Sequence, residues 1–178
     1  LSSDTVTQVL RDQQGVLWVG THGGLDRFDP ETGKFDHYRS IPDDNTTISH
    51  NQVRVLYEDS RGTLWIGTGS PYLDNGGGPD GGGLNRMDRD TGTFVAYMND
   101  PDDSTTINND FVFSILEDAR GFLWMGTWGG GFSSFDRNTE IFTAYTDEDG
   151  LPSKSIYGAL EDEYGNFWLS SNNGICRF

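Results

Sequence analysis

Cysteine is almost absent from this chain. Cys176 stands alone, so no internal disulfide can form and no disulfide framework can be read from spacing. Its place in an alternating apolar stretch predicts a small buried side chain. Nowhere do apolar residues run unbroken for the roughly 20 positions that a membrane-spanning helix needs. No segment keeps a helical period over three turns. Basic residues are scarce, with 12 Lys and Arg against 28 Asp and Glu and a formal net charge of −16. This excess of one sign disfavours nucleic acid and anionic membranes as partners and leaves cations, neutral sugars or a basic protein. Signatures of catalysis and metal binding are missing too. There is no G-x-S-x-G, H-E-x-x-H or C-x-x-C, and His22, His37 and His50 fall in different parts of the pattern. The sequence therefore assigns no catalytic residue, metal or cofactor. Hydrophobic residues make up 34%, a low share for a globular chain that would by itself suggest disorder. The regularity of the remainder argues against that.

The regular feature is a strand, a tight turn and a strand, best seen in residues 53–68. Asp12, Gly15, Trp18, Gly20 and Thr21 form one copy. Asp59, Gly62, Trp65, Gly67 and Thr68 form the second, and Asp118, Gly121, Trp124, Gly126 and Thr127 the third. The fourth is Asp162, Gly165 and Trp168, with Ser170 and Ser171 in place of Gly-Thr. The spacing from Asp to Trp is constant. Asp can accept from a backbone N–H two residues on, and Gly tolerates positive φ, so Asp-x-x-Gly between apolar runs reads as a hairpin. These residues are turn chemistry, and repetition of this kind defines the fold.

Taken in order, the chain divides into repeats at 1–47, 48–106, 107–150 and 151–178. Four short antiparallel strands are expected in each of the first three, the period of a propeller blade. In the first repeat they fall at 5–10, 17–21, 25–28 and 34–39. The second repeat departs from the pattern at residues 69–82, where Gly and two Pro replace a three-residue link and predict a loop. The fourth repeat stops after its third strand. The expected fold is an all-β propeller of four-stranded antiparallel blades, with about three and three-quarter blades present, as a fragment of a larger propeller. Leu1 stands directly ahead of a strand and Phe178 ends inside an apolar pattern, so both ends read as cuts in a longer protein. The recurring Trp is expected in the packing between blades, because both faces of most strands carry apolar residues.

Function in such a fold is expected on the loops at one end. Trp128, between a Thr and a run of Gly, is the sharpest candidate for stacking on a sugar or another ring. His22 and Asn172 hold the equivalent place in their repeats. Tyr72 in the long loop, and Asn51 and Asp110 in the links between repeats, complete the candidate ligand-binding set. The acidic links 42–47 and 101–106 offer oxygens of the kind Ca²⁺ takes, yet lack EF-hand spacing and read first as Asx turns. Glu58, Glu117 and Glu161 recur beside the turn Asp, which suggests scaffold.

Residues 42–68, and 117–131 with their Glu-Asp-Ala-Arg-Gly-Phe-Leu-Trp-Met-Gly-Thr-Trp run, resemble the two-component regulator propeller repeat. The likeness covers nearly the whole chain; the loop at 69–82 and the Ser170-Ser171 pair depart from it. The resemblance implies a periplasmic or extracellular sensor region of a membrane-anchored bacterial two-component protein, with a cytoplasmic histidine kinase beyond it. It also implies many more blades, a homodimeric parent, and a small-molecule or oligosaccharide ligand. The matched motif is structural and transfers no ligand residue. A related propeller family includes an antibiotic-cleaving lyase whose catalytic residues find no match here. A propeller lyase or hydrolase, or a protein-binding propeller, are the alternatives. Paired His and Glu on the loop face would mark the enzyme, and exposed aromatics flanked by Asn and Asp the sensor.

Overall fold

The computed structural model describes residues 1–71 and 81–178. Four antiparallel sheets follow one another along the chain, each with its strands in sequence order. Blade one holds β1 (Val6–Arg11), β2 (Leu17–Thr21), β3 (Gly24–Asp29) and β4 (Lys34–Tyr38). Blade two holds β5 (Val53–Glu58), β6 (Leu64–Gly69), β7 (Gly81–Met87) and β8 (Phe94–Tyr97). Blade three holds β9 (Val112–Glu117), β10 (Leu123–Thr127), β11 (Gly131–Asp136) and β12 (Ile141–Tyr145). Blade four holds β13 (Ile156–Glu161), β14 (Phe167–Ser171) and β15 (Gly174–Arg177). One expectation needs correcting. Gly69 pairs with Gly81, so Gly69, Gly81 and Gly82 belong to strands and the break in blade two is shorter than 69–82. Three glycines without side chains read as loop in the sequence, but here they lie close against the backbone and side chain of Asp110 and against Thr68.

Each hairpin is closed by its aspartate. In blade two, Asp59 Oδ1 accepts from the backbone N–H of Arg61 at 2.9 Å and of Thr63 at 2.9 Å. Gly62, at φ 78°, supplies the left-handed residue that the turn requires. The other carboxylate oxygen accepts from the indole N–H of Trp65 at 2.8 Å. The same bond joins Trp18 to Asp12 at 2.9 Å, Trp124 to Asp118 at 3.0 Å and Trp168 to Asp162 at 3.0 Å. The constant Asp-to-Trp spacing is thus the reach of one side-chain hydrogen bond across the hairpin.

Three of the four recurring tryptophans pack between blades, whereas Trp168 is exposed. Trp18 and Leu25 meet Ile48, Val53, Leu56, Leu64 and Ile66 of blade two. Trp65 and Leu84 meet Val112, Ile115, Leu123 and Met125 of blade three. Trp124 and Phe132 meet Leu151, Ile156, Phe167 and Leu169 of blade four, where Cys176 is also partly buried. The glycine two residues after each of these tryptophans lets the next inner strand approach. A Cβ on Gly67 would lie 2.9 Å from Val112 O, and one on Gly126 2.7 Å from Ile156 O.

Ion pairs tie the first two of these junctions at the turn end. Arg137 of blade three reaches Asp59 of blade two at 2.6 Å and also pairs with Glu117. Arg89 of blade two does the same with Asp12 and Glu58. Each recurring glutamate also accepts a turn N–H from the preceding blade: Glu58 from Gln13 at 2.6 Å, Glu117 from Ser60 at 2.6 Å and Glu161 from Ala119 at 3.0 Å. Burial pushes the Asp59 carboxyl up, but the hydrogen bonds from Trp65, Thr63 and Arg137 outweigh it and hold the group below its ordinary 3.8.

Two outcomes follow for urea unfolding of the chain. Trp65 is 1% exposed and Trp168 44%, so Trp65→Ala should cost about 3–5 kcal/mol and Trp168→Ala clearly less; equal losses would contradict the packing described. Because the Asp59 pKa is lowered on folding, its contribution is complete above about pH 5 and is lost as the pH falls through the depressed folded value. The unfolding midpoint should therefore drop on acidification below about pH 4, and Asp59→Asn should flatten that drop.

Candidate functional site

The inner strand of every blade carries one bulged residue near its start. Pairing skips Thr7 between Val6 and Gln8, Arg54 between Val53 and Val55, and Tyr157 between Ile156 and Gly158. In blade three it skips Phe113 between Val112 and Ser114. A bulge takes a side chain out of the ladder and re-aims it. All four bulges lie at the end of the blades where the second strand leads into the third, the end that carries His22, Gly69, Trp128 and Asn172.

Here the chain is stitched from blade to blade by its backbone. Gly82 and Gly83 donate to Asp110 O at 3.1 and 2.7 Å, and Gly129 and Gly131 to Lys154 O at 2.9 and 2.7 Å. Trp128 donates its own N–H to Phe111 O at 3.0 Å and forms an isolated antiparallel bridge with Ser155. Its ring is thereby held over two bulged aromatics. Ring centroids are 5.8 Å apart for Phe113 and Trp128, 5.7 Å for Trp128 and Tyr157, and 6.0 Å for Phe113 and Tyr157. Spacings of this size are those of favourable tilted and edge contacts. The Arg54 guanidinium lies 5.4 Å from the Phe113 centroid, while Arg54 Nε donates to Gly69 O at 2.9 Å. At the other end the Tyr157 hydroxyl bonds to Asn172 Oδ1. The three rings are partly buried and Asn172 is exposed. The result is a continuous band, Arg54–Phe113–Trp128–Tyr157–Asn172, across three blades.

Two of the sequence candidates, Trp128 and Asn172, are brought together in this band. His22 holds the equivalent place in blade one, where the bulged residue is Thr7, bonded to Gly20 O and Val53 O at 3.0 and 2.9 Å. Asn51 and Asp110 serve the links between blades: Asn51 Oδ1 accepts from Ser40 N at 2.8 Å and Asp110 Oδ1 from Asn99 N at 2.6 Å. Tyr72 lies outside the described residues. The acidic links form the Asx turns expected of them, with Thr46 N on Asp44 Oδ1 and Thr105 N on Asp103 Oδ1, both at 2.9 Å. Arg54, Phe113 and Tyr157 were not singled out by sequence reasoning. Their signal was that the preceding inner-strand residue stays Val or Ile while this one varies from Thr to Arg, Phe and Tyr.

A second cluster has the residue types of a hydrolase but not its geometry. Ser2 Oγ donates to Asp26 Oδ1 at 2.7 Å, and His37 Nδ1 meets the same oxygen. That same Nδ1 also lies 3.2 Å from Ser2 Oγ, so the ring does not bridge serine and aspartate through its two nitrogens as a triad would, and Asp26 is fully buried. Asn85 and Ser133 occupy the matching register in blades two and three, bonding Ser49 N at 2.9 Å and Asn108 at 2.7 Å. An amide and a hydroxyl do the same job, so this is a latch for the lead-in segment. Among the described residues, no three His, Cys, Asp or Glu side chains gather as a metal site would need.

The two-component regulator propeller family matches the chain at residues 1–23, 47–70, 106–129 and 150–173. Histidine kinase P4 of Formosa agariphila is 30% identical over 169 residues, covering 94% of this chain and 12% of the kinase. The extracellular domain assigned to a one component system of B. thetaiotaomicron is 30% identical and superposes with a TM-score of 0.79, over 98% of this chain and 24% of that one. The extracellular domain assigned to a hybrid two component system of the same organism is 24% identical, with a TM-score of 0.82 over 100% of this chain and 25% of that one. The chain thus spans a small part of the length of each.

Asp110 sits in the link into blade three, where it accepts from Asn99 N. Burial raises its carboxyl pKa and the hydrogen bond from Asn99 only partly offsets this. A carboxyl raised on folding favours the native state less as the pH climbs from 3.8 through the folded value. Asp110→Asn keeps the acceptor, as Asn51 does, and should raise the urea midpoint at pH 7, with the gain vanishing near pH 3. A loss at pH 7 would mean that the charge itself is needed.

Proposed function

Because this chain belongs to the two-component regulator propeller family, we propose that it is part of the extracytoplasmic, ligand-sensing region of a membrane-anchored bacterial signalling protein, and that its ligand is an oligosaccharide. The extracellular-domain relatives support the placement outside the cytoplasm, and the kinase relative supports a histidine kinase as the output.

One observation carries the ligand reading: the partly exposed rings of Phe113, Trp128 and Tyr157, bordered by the Asn172 amide. Aromatic faces accept the apolar C–H faces of sugars, and an amide and a phenol beside them can read hydroxyls. Two of its rings, Phe113 and Tyr157, bulge out of the ladder, so they enter the band without breaking the pairing on either side. The charge of −16 favours a neutral ligand over a polyanionic one.

The test is titration of the chain with a panel of short neutral oligosaccharides, followed by tryptophan fluorescence and calorimetry. Trp128→Ala should weaken any binding by about tenfold or more, and Asp110→Asn should leave it unchanged. Binding that survives Trp128→Ala would place the site elsewhere. Failure of the whole panel would turn the reading toward a protein-binding propeller.

A further inference from the structure

Blade two carries an apolar patch on its outer rim that blade three replaces with polar groups. Ile41, Val95 and Met98 are 56%, 45% and 46% exposed and line one groove of about 860 Å³ between the incoming link and β8. Blades one and three both pack against blade two, so this rim faces outward with its two neighbouring blades in place. The next link is built on the same bonds. Ser40 N bonds Asn51 as Asn99 N bonds Asp110, and Ile41 N bonds Thr47 Oγ1 at 3.1 Å as Asp100 N bonds Thr106 Oγ1 at 2.9 Å. In that register Asp100, Thr143 and Thr146 stand for Ile41, Val95 and Met98, and only Ile141, in the place of Thr93, runs the other way. Isoleucine also deprives its link of a bond. Asp100 closes its turn by accepting from Asp102 N at 2.9 Å. Ile41 offers no such acceptor, and Asp43 lies at φ 66°, which residues other than glycine seldom adopt. The scaffold therefore does not ask for this isoleucine.

Main chain and charge say what fits the groove. β8 is the edge of its sheet. Thr46 O takes the outward N–H of Phe94 at 2.8 Å. By the alternation of an antiparallel ladder the next outward amide is that of Ala96, which lines the groove. Among the described residues, the charged groups along the groove are Asp43 and Asp44, with no Lys, Arg or His. Hydrogen bonds from Thr46 hold the Asp44 carboxyl below its ordinary value, so this wall is anionic at neutral pH. We propose that the groove receives an extended segment of a separate protein, one that carries Lys or Arg among apolar residues. The segment bonds to the Ala96 main chain, covers Ile41, Val95 and Met98, and sets its cations against Asp43 and Asp44. A second copy of this chain fits less well, because pairing β8 with itself would bring two acidic links together in chains of net charge −16.

A short fluorescent peptide alternating Val and Lys, titrated with the chain at about 0.15 M salt, serves as the probe. The chain should bind it at least about tenfold more tightly than the peptide alternating Val and Glu. Ile41→Asp, Val95→Thr and Met98→Thr together give the groove the side chains of its counterpart in blade three. That variant should keep the fold, which circular dichroism checks, and weaken binding about tenfold or more. Asp43→Asn should weaken it about threefold. Hydrogen exchange at the Ala96 amide should slow in the complex. Failure to bind the peptide would overturn the proposal. Binding that survives the triple variant, or leaves Ala96 unprotected, would reduce the contact to charge attraction and overturn it too. A chain that dimerises on a sizing column only while Val95 and Met98 are present would overturn it in favour of a second copy as the occupant.

Discussion

A single hydrogen bond, from a tryptophan indole to the aspartate of its own hairpin turn, organises this molecule. It does three things at once. It closes the turn, because the other oxygen of the same carboxylate holds two backbone N–H groups. It fixes the indole in the junction with the next blade. It also leaves a buried negative charge, which Arg89 and Arg137 reach across the junction to neutralise. A buried carboxylate without a partner would be costly. In blades one and two the turn is therefore completed only when the next blade has docked, whereas Asp118 of blade three pairs with Arg120 of its own turn.

Close packing supplies the second constraint. The glycines after the tryptophans bring neighbouring inner strands near enough that a methyl group would collide with backbone or side chain. With the strands held so tightly, the bulges at the opposite end become the places where side chains can vary without disturbing the junctions. Thr7 uses this freedom for a structural bond, whereas Arg54, Phe113 and Tyr157 fill it with charge and rings. The molecule thus divides along its length into an ion-paired turn end that joins blades and a variable end that can meet a ligand. Apparent chemistry at the joining end, such as the recurring Glu58, Glu117 and Glu161, is absorbed by the scaffold. The serine, histidine and aspartate of blade one are absorbed in the same way.

Family membership and the variable end point in the same direction. Both rest on one frame, in which apolar contacts tie all three junctions and ion pairs from Arg89 and Arg137 reinforce the first two.

Much of this was written in the sequence. The repeat of Asp, Gly and Trp determined the hairpins, the blade order and the burial of the tryptophans, because hydrogen-bond reach, positive φ and apolar alternation are all local properties. It also showed that Glu58 and its counterparts belong to the scaffold. The partner of each turn aspartate was not legible, since Asp59 and Arg137 are 78 residues apart and no spacing rule links them. Nor was the strand membership of Gly69 and Gly81, which rests on pairing with each other and on the approach of Asp110. The candidate site was half legible. Trp128 and Asn172 could be found from their loops, but Phe113 and Tyr157 read as ordinary strand residues until the bulges turned them toward Trp128. A bulge is decided by how two strands register against each other, and only the folded sheet sets that register.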